Sequence, residues 1–236
     1  SEALLAQLQH YREMLPDEAE KAGQRIRNMP YRCLLKLMMA RLARVLTDAP
    51  GAYGNSQEFH NDLELMRQSL QANKGEHAGL FGLNRLQIRE KTFGFHLATL
   101  DIRQDALVHR QVIAQILKDE HWPELDAETR ADRLTALLLS PELPALPDNA
   151  AVAKTIEVFR SIAWGQKHFG PRALGPYIIS MTQGADDVLS VLFLARMAGL
   201  VEADNHVPLD VAPLLETVDD LQHGEVIFER LYTDPA

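Results

Sequence analysis

The chain has 236 residues, and 46% of them are hydrophobic, which is enough for one large core or two small ones. The formal net charge of -9 argues against the basic surface that nucleic-acid binding needs, so we expect small-molecule or protein partners. No apolar run reaches membrane-spanning length and the N-terminus lacks signal-peptide order, so we expect no membrane association. The single cysteine, Cys33, predicts a reducing cytoplasm. Ser1, in place of an initiator Met, indicates an excised piece of a longer protein.

The first part of the chain has helical periodicity. Apolar residues recur at helical spacing over 2–47, 59–72 and 79–91, with Pro16 and Pro30 at expected helix boundaries. We therefore predict an N-terminal helical region over 1–91. Basic side chains break the apolar face of the segment after Pro30, and a salt-bridged or solvated face is favoured for them over a phosphate site. These basic residues are Arg32, Lys36, Arg41 and Arg44.

The segment 92–111 is the centre of the prediction. A glycine-bearing turn at Phe93 and Gly94 precedes an apolar run over 96–102, which ends in Asp101, Arg103 and Gln104. A nearly continuous apolar run that passes into a helix is typical of a buried parallel strand. We predict such a strand, followed by a helix over 106–118. In α/β folds the ligand site lies at the carboxyl ends of the strands, which is where Arg103 falls.

The next segment is the least regular. A helix over 127–139, capped by Asp126, precedes three prolines, so we predict a surface excursion at 119–149, the part of the chain least suited to carry chemistry. A helix over 150–168 follows. Together they form a helical insertion at about 119–170.

Two further strand-helix units follow the insertion. Strands are predicted at 177–181 and 207–214, and helices from Asp186 and over 221–231, with Asp186 and Asp187 as helix-capping carboxylates. The alternation predicts a mainly α chain with a short parallel β-sheet, of the α/β class, whose second domain spans 92–236. Three such strands do not close a barrel.

Polar residues follow each predicted strand. Arg103, Ser180 with Thr182, and Glu216 would converge if the strands lie side by side. This set suggests an anion or metal site. Glu216 could instead cap a helix, and Arg103 could pair with Asp101 or Glu216. His109 could face the same pocket as Arg103, although a structural role is favoured for a helical histidine.

Three segments resemble successive blocks of phosphoenolpyruvate carboxylase. They read FGFHLATLDIRQDALVH, GPYIISMTQGADDVLSVLFLARMAGL and VAPLLETVDDL, and the upstream PYRCLLKLMMARL resembles the helix that precedes them. The resemblance covers a central portion of a longer family chain, around barrel strands 2 to 4. It implies a partial (β/α)8 TIM-type barrel preceded by helices.

The resemblance also implies a reaction. The family carboxylates phosphoenolpyruvate with bicarbonate, giving oxaloacetate and phosphate with Mg²⁺ or Mn²⁺, as anaplerotic carbon fixation into the tricarboxylic acid cycle. Arg103 matches an active-site arginine, for which we expect a catalytic role, and Glu216 matches a metal ligand. Supporting roles are expected for Gln104, His109, Ser180 and Thr182. The family implies a cytoplasmic homotetramer.

Other family blocks are absent from this sequence, including one with a histidine and one with a second metal carboxylate and a lysine. We therefore expect this chain alone to be inactive, and its exposed strand edges to promote self-association. Two alternatives stay open. One is a noncatalytic helical interaction module derived from such an enzyme, and the other is a different enzyme of the phosphoenolpyruvate and pyruvate barrel group.

Overall fold

The structure, a computed structural model, describes residues 1–21, 26, 28–203 and 206–236. The chain forms two compact units, one of residues 1–98 and 167–173, the other of residues 99–166 and 174–236. Part of the predicted helical segment 2–47, namely 22–25 and 27, lies outside the described residues.

The described part of the first unit is built from helices. Local signals set their ends: the Ser1 hydroxyl accepts from the backbone N–H of Leu4, Pro30 is the first residue of its helix, and Asn55 accepts from the N–H of Glu58. The predicted helices are confirmed, with ends shifted by a few residues. They are α1 (Glu2–Met14), α2 (Pro16–Lys21), α3 (Pro30–Val45), α4 (Ser56–Ala72) and α5 (Leu80–Phe93).

A buried polar network crosses the core of the first unit. The Asp62 carboxylate accepts from the hydroxyls of Tyr11 and Tyr53, each at 2.6 Å. Arg41 is buried as well, and it donates to Glu58, to the Tyr11 hydroxyl and to two loop carbonyls. Burial raises the pKa of Tyr11 to about 12 and also raises that of Tyr53. Arg41 is therefore an internal structural group, as the salt-bridged interpretation of this helix predicts.

The second unit contains a three-stranded parallel sheet. Its strands are β1 (Leu100–Asp105), β2 (Leu174–Ser180) and β3 (Val211–Pro213), in the order β1-β2-β3. Arg103 is in register with Ile178, and Ile178 with Ala212, so these three positions share one row across the sheet. The described helices of this unit are α6 (Ala106–Leu117), α7 (Ala127–Leu139), α8 (Ala150–Phe169, of which 150–166 belong here), α9 (Ala185–Met197) and α10 (Val218–Tyr232).

The two faces of the sheet have different environments. Tyr177 and Ile179 of β2 are buried in the core, where the Tyr177 ring stacks on Phe159 with centroids 5.2 Å apart. Side chains alternate along a strand, so Arg103 and Ile178 lie on the other face. That open face, defined by Arg103, Ile178, Ser180 and Ala212, is half-buried or exposed.

Several predicted boundaries of the strands were wrong. The first strand begins at Leu100 rather than His96, because Gly94 and Leu97 have left-handed φ angles of 50° and 67° that keep the chain in turns. This strand is also largely exposed rather than buried, since it is an edge of the described sheet. Met181, with φ of 58°, falls outside β2, and β3 is only three residues long.

The segment 119–149 is not the surface excursion that its prolines suggested. Trp122 and Leu134 are fully buried in the main core of the second unit, and α7 packs against α9. The helix and its Asp126 cap are where the sequence predicts them, since Asp126 accepts from the N–H of Thr129. The link after α7, with its three prolines, is irregular as predicted, and a short 3-10 turn (Trp122–Glu124) precedes α7.

Candidate functional site

Arg103 and Glu216 meet at the carboxyl edge of the sheet. Arg103 belongs to β1, and Glu216 follows β3 just before α10. Arg103 Nη2 donates to Glu216 Oε1 at 2.9 Å, and the two side chains are 59% and 33% exposed. Because β2 lies between β1 and β3, this ion pair spans the central strand on the open face. A cation and an anion accessible at strand ends can bind ligand groups of opposite charge.

The other polar residues expected near the site, at the ends of β1 and β2, have mixed positions. Ser180 shares the open face with Arg103, and its hydroxyl donates to the backbone carbonyl of Gln104 at 3.4 Å. Thr182 is fully buried, and its hydroxyl donates to the carbonyl of Ile179. The Gln104 side-chain oxygen accepts from the N–H of Asp105. Of these three residues, Ser180 is the one that lies beside Arg103.

His109 lies on the opposite, core side of the sheet. Its side chain is fully buried, and Nε2 is 2.9 Å from the hydroxyl of Tyr177. Burial lowers the pKa of His109 to about 4, the nearby carboxylates of Asp187 and Asp105 opposing that effect. The imidazole is therefore neutral at pH 7. In this position the imidazole contacts β2 from the core side, and it does not share the open face with Arg103.

Sequence reasoning missed a cluster of buried ion pairs. Asp186 and Asp187 are fully buried, Asp186 accepting from Arg130 at 2.6 Å and Asp187 from Arg110 at 2.8 and 3.0 Å. Burial, reinforced by the adjacent Asp187, raises the pKa of Asp186. Both carboxylates lie in the first turn of α9, as predicted, but the Asp186 side chain accepts from Arg130 rather than from a backbone amide, and the N-cap residue, Gly184, makes no side-chain cap. The sequence signal that could have indicated these ion pairs was the presence of two adjacent carboxylates at the start of an apolar helix.

A divalent metal needs more ligands than the described residues bring together. Within the described residues, no three His, Cys, Asp or Glu side chains are grouped as a metal site. Glu216 offers one carboxylate, of the hard oxygen type that Mg²⁺ and Mn²⁺ take. Since Mg²⁺ usually keeps waters and binds substrate phosphates, one carboxylate can belong to such a site but cannot form it.

Comparison with known proteins decides the family. The family model of phosphoenolpyruvate carboxylase matches residues 1–236. The chain belongs to the phosphoenolpyruvate carboxylase family. The phosphoenolpyruvate carboxylase of Xanthomonas oryzae pv. oryzae (strain MAFF 311018) is 47% identical over 237 residues, covering 100% of this chain and 26% of that protein. Those of Rhodopseudomonas palustris (strain BisA53) and Gloeobacter violaceus (strain ATCC 29082 / PCC 7421) are 34% and 38% identical, covering 86% and 80% of this chain and 24% and 21% of each relative.

The chain spans about a quarter of the length of the curated phosphoenolpyruvate carboxylases it matches. Its membership of that family supports an enzyme-derived segment and favours neither the noncatalytic module nor a different barrel enzyme. Within the described residues, no helix is both long enough and apolar enough to cross a bilayer.

Proposed function

We propose that this chain is part of a phosphoenolpyruvate carboxylase, which joins phosphoenolpyruvate and bicarbonate to give oxaloacetate and phosphate. The observation that carries the proposal is the ion pair between Arg103 and Glu216, 2.9 Å apart across the central strand. The resemblance described above implies an active-site role for Arg103 and a metal-ligand role for Glu216, and the chain belongs to that family. A cytoplasmic location and a homotetrameric assembly of the longer protein belong to the same proposal.

Arg103 would bind the anionic groups of the reactants. Its guanidinium is 59% exposed and carries donors in a planar fork, which suits the oxygens of a phosphoryl group or bicarbonate. Charge accumulates on phosphoryl oxygens during transfer to bicarbonate, so a fixed cation there lowers the barrier. Ser180, on the same face, supports the backbone beside Arg103 through its bond to the Gln104 carbonyl.

Glu216 would hold a Mg²⁺ or Mn²⁺ ion together with ligands from outside this chain. Such an ion supplies Lewis-acid stabilisation of a developing enolate. Glu216 itself would leave Arg103 for the metal, which frees the guanidinium for an anion. His109 and Tyr177 would keep β2 in place from the core side without charge.

The open face of the sheet supports a partial (β/α)8 barrel. Parallel sheets occur almost only with both faces covered, yet the face that carries Arg103, Ile178 and Ala212 is half-buried or exposed. In a closed barrel this face would line the interior, which further strands and their side chains fill. We therefore assign β1, β2 and β3 to three neighbouring strands of such a barrel.

The decisive experiment is a chimaera in which this chain replaces the matching segment of the Xanthomonas oryzae relative. We expect oxaloacetate formation that depends on phosphoenolpyruvate and bicarbonate, and a loss of about 100-fold in kcat for Arg103→Lys or Glu216→Gln. Arg133→Lys is the matched control, because Arg133 forms a comparable pair with Asp119, at 2.8 Å, away from the sheet edge. Full turnover in either site variant would refute the assigned roles.

The isolated chain provides a second test, with the same assay. We expect no oxaloacetate formation above background, because one arginine and one carboxylate do not complete the site. Turnover by the isolated chain would contradict the expectation that further residues are required.

A further inference from the structure

A buried arginine–aspartate pair joins α6, the helix after β1, to the first turn of α9, the helix after β2. Arg110 on α6 donates from Nε to Asp187 Oδ1 at 3.0 Å and from Nη2 to Asp187 Oδ2 at 2.8 Å. The Asp187 side chain is fully buried, and that of Arg110 is 12% exposed. A two-point contact of this kind fixes orientation as well as charge.

The same carboxylate organises the turn at 181–184. Asp187 Oδ2 accepts the backbone N–H of Gln183 at 2.9 Å, and Arg110 Nη1 donates to the side-chain oxygen of Gln183 at 3.2 Å. Met181 begins the turn with φ of 58°, a left-handed conformation that residues other than glycine seldom adopt. Arg110 and Asp187 thus hold the turn in a conformation that its own sequence does not favour.

The position of this turn connects it to the candidate site. It follows the central strand β2, so it lies between the strand ends from which Arg103 and Glu216 project. Asp105, the last residue of β1, is also the N-cap of α6, so Arg110 is tied closely to the end of β1. The contact between Arg110 and Asp187 therefore fixes the end of β1 relative to the end of β2.

We propose that Arg110 is a positioning residue, which acts through Asp187 and the 181–184 turn to align the strand ends where Arg103 and Glu216 meet. The expected effect of Arg110 on catalysis rests on the proposed function. The neighbouring pair of Arg130 and Asp186 provides a matched control. Asp186 Oδ2 accepts from Arg130 at 2.6 Å and lies 3.8 Å from Arg110 Nε, beyond hydrogen-bond distance, and Asp186 Oδ1 has no hydrogen-bond partner within the described residues. The N–H of Gln183 donates to Asp187 rather than to Asp186, so loss of the Arg130 fork leaves that bond in place.

Hydrogen exchange on the 236-residue chain tests the contact directly. Arg110→Lys keeps the positive charge but loses the fork, so we expect the amide of Gln183 to exchange at least tenfold faster than in the wild type. Arg130→Lys disturbs an equally buried pair, yet should change that amide less than threefold. Equal exchange at Gln183 in the wild type and Arg110→Lys would overturn the proposal. Should Arg110→Lys not fold, Arg110→Gln, which leaves the Asp187 carboxylate in place as the acceptor of that N–H, gives the same readout.

The chimaera tests the catalytic consequence. We expect Arg110→Lys to lower kcat about tenfold, because a misplaced reacting group loses rate strongly with small displacements, and Arg130→Lys to stay within threefold of the wild type. Unchanged kcat in Arg110→Lys, despite faster exchange at Gln183, would refute the positioning role. If Arg103→Lys also retains full turnover, the proposed function fails as well, while the exchange data still decide whether Arg110 holds the turn.

Discussion

His109 should make the second unit sensitive to acid in a way that one substitution removes. Its pKa falls from an ordinary 6.5 to about 4 in the folded state because of burial, so the unfolded chain binds its proton more tightly. The neutral His109 therefore contributes its full stabilisation above pH 6.5, and this stabilisation is lost as the pH falls from 6.5 towards 4. A difference of 2.5 between these pKa values corresponds to about 3 kcal/mol in the free energy of unfolding. About 2 kcal/mol of this is lost between pH 7 and pH 4.5.

The variant His109→Gln isolates this effect. Glutamine keeps a hydrogen-bonding group near the Tyr177 hydroxyl but does not titrate, while all other groups titrate as in the wild type. Urea unfolding followed by tryptophan fluorescence reports the second unit, since Trp122 and Trp164 both belong to it. We expect the free energy of unfolding to fall between pH 7 and pH 4.5 by about 2 kcal/mol more in the wild type than in the variant.

The control is His223→Gln, because His223 is an exposed histidine on α10, with a side chain 62% exposed. It should show the pH dependence of the wild type. If His109→Gln loses as much stability on acidification as the wild type does, the buried neutral state assigned to His109 is incorrect.

Further predictions concern stability and association. Asp62→Asn should destabilise the first unit by about 3 kcal/mol, measured by amide hydrogen exchange of that unit, since it removes a buried charge that accepts two tyrosine hydroxyls. The exposed substitution Asp219→Asn should leave amide exchange unchanged. Leu134→Ala should cost the second unit about 3 kcal/mol in urea unfolding, and a loss under 1 kcal/mol would mean that the 119–149 segment contributes little to the core. The isolated chain should self-associate through its open sheet face, and a monomer by light scattering after size exclusion would contradict this.

Local chemistry made much of the fold predictable. Asp126 caps α7 at the predicted residue, and Pro16 and Pro30 each begin a helix, because these effects act within one turn of the chain. The order of strand and helix after residue 99 also follows from sequence periodicity. The start of β1 was predicted wrongly because Leu97 adopts a left-handed φ, which a leucine in the sequence does not indicate.

The candidate site was predictable only in part. Arg103 and Glu216 were expected together because parallel strands end at a common edge, and the structure brings them within 2.9 Å. The partners of Asp186 and Asp187 could not be predicted, because Arg130 and Arg110 lie 56 and 77 residues away in sequence. His109 was ambiguous, since helical periodicity alone does not say which face of the sheet a following helix covers.

The buried Arg41 also has a consequence for the loop between α3 and α4. That loop carries Pro50, Gly51 and Gly54, a composition that usually marks a site of easy cleavage by proteases. The carbonyls of Gly51 and Ala52 are held by the guanidinium of Arg41, and the Tyr53 ring lies 3.9 Å beneath it. An enzyme that must draw an extended strand of backbone into its cleft would first have to pull these carbonyls away from an interior cation, so the loop is protected despite its sequence.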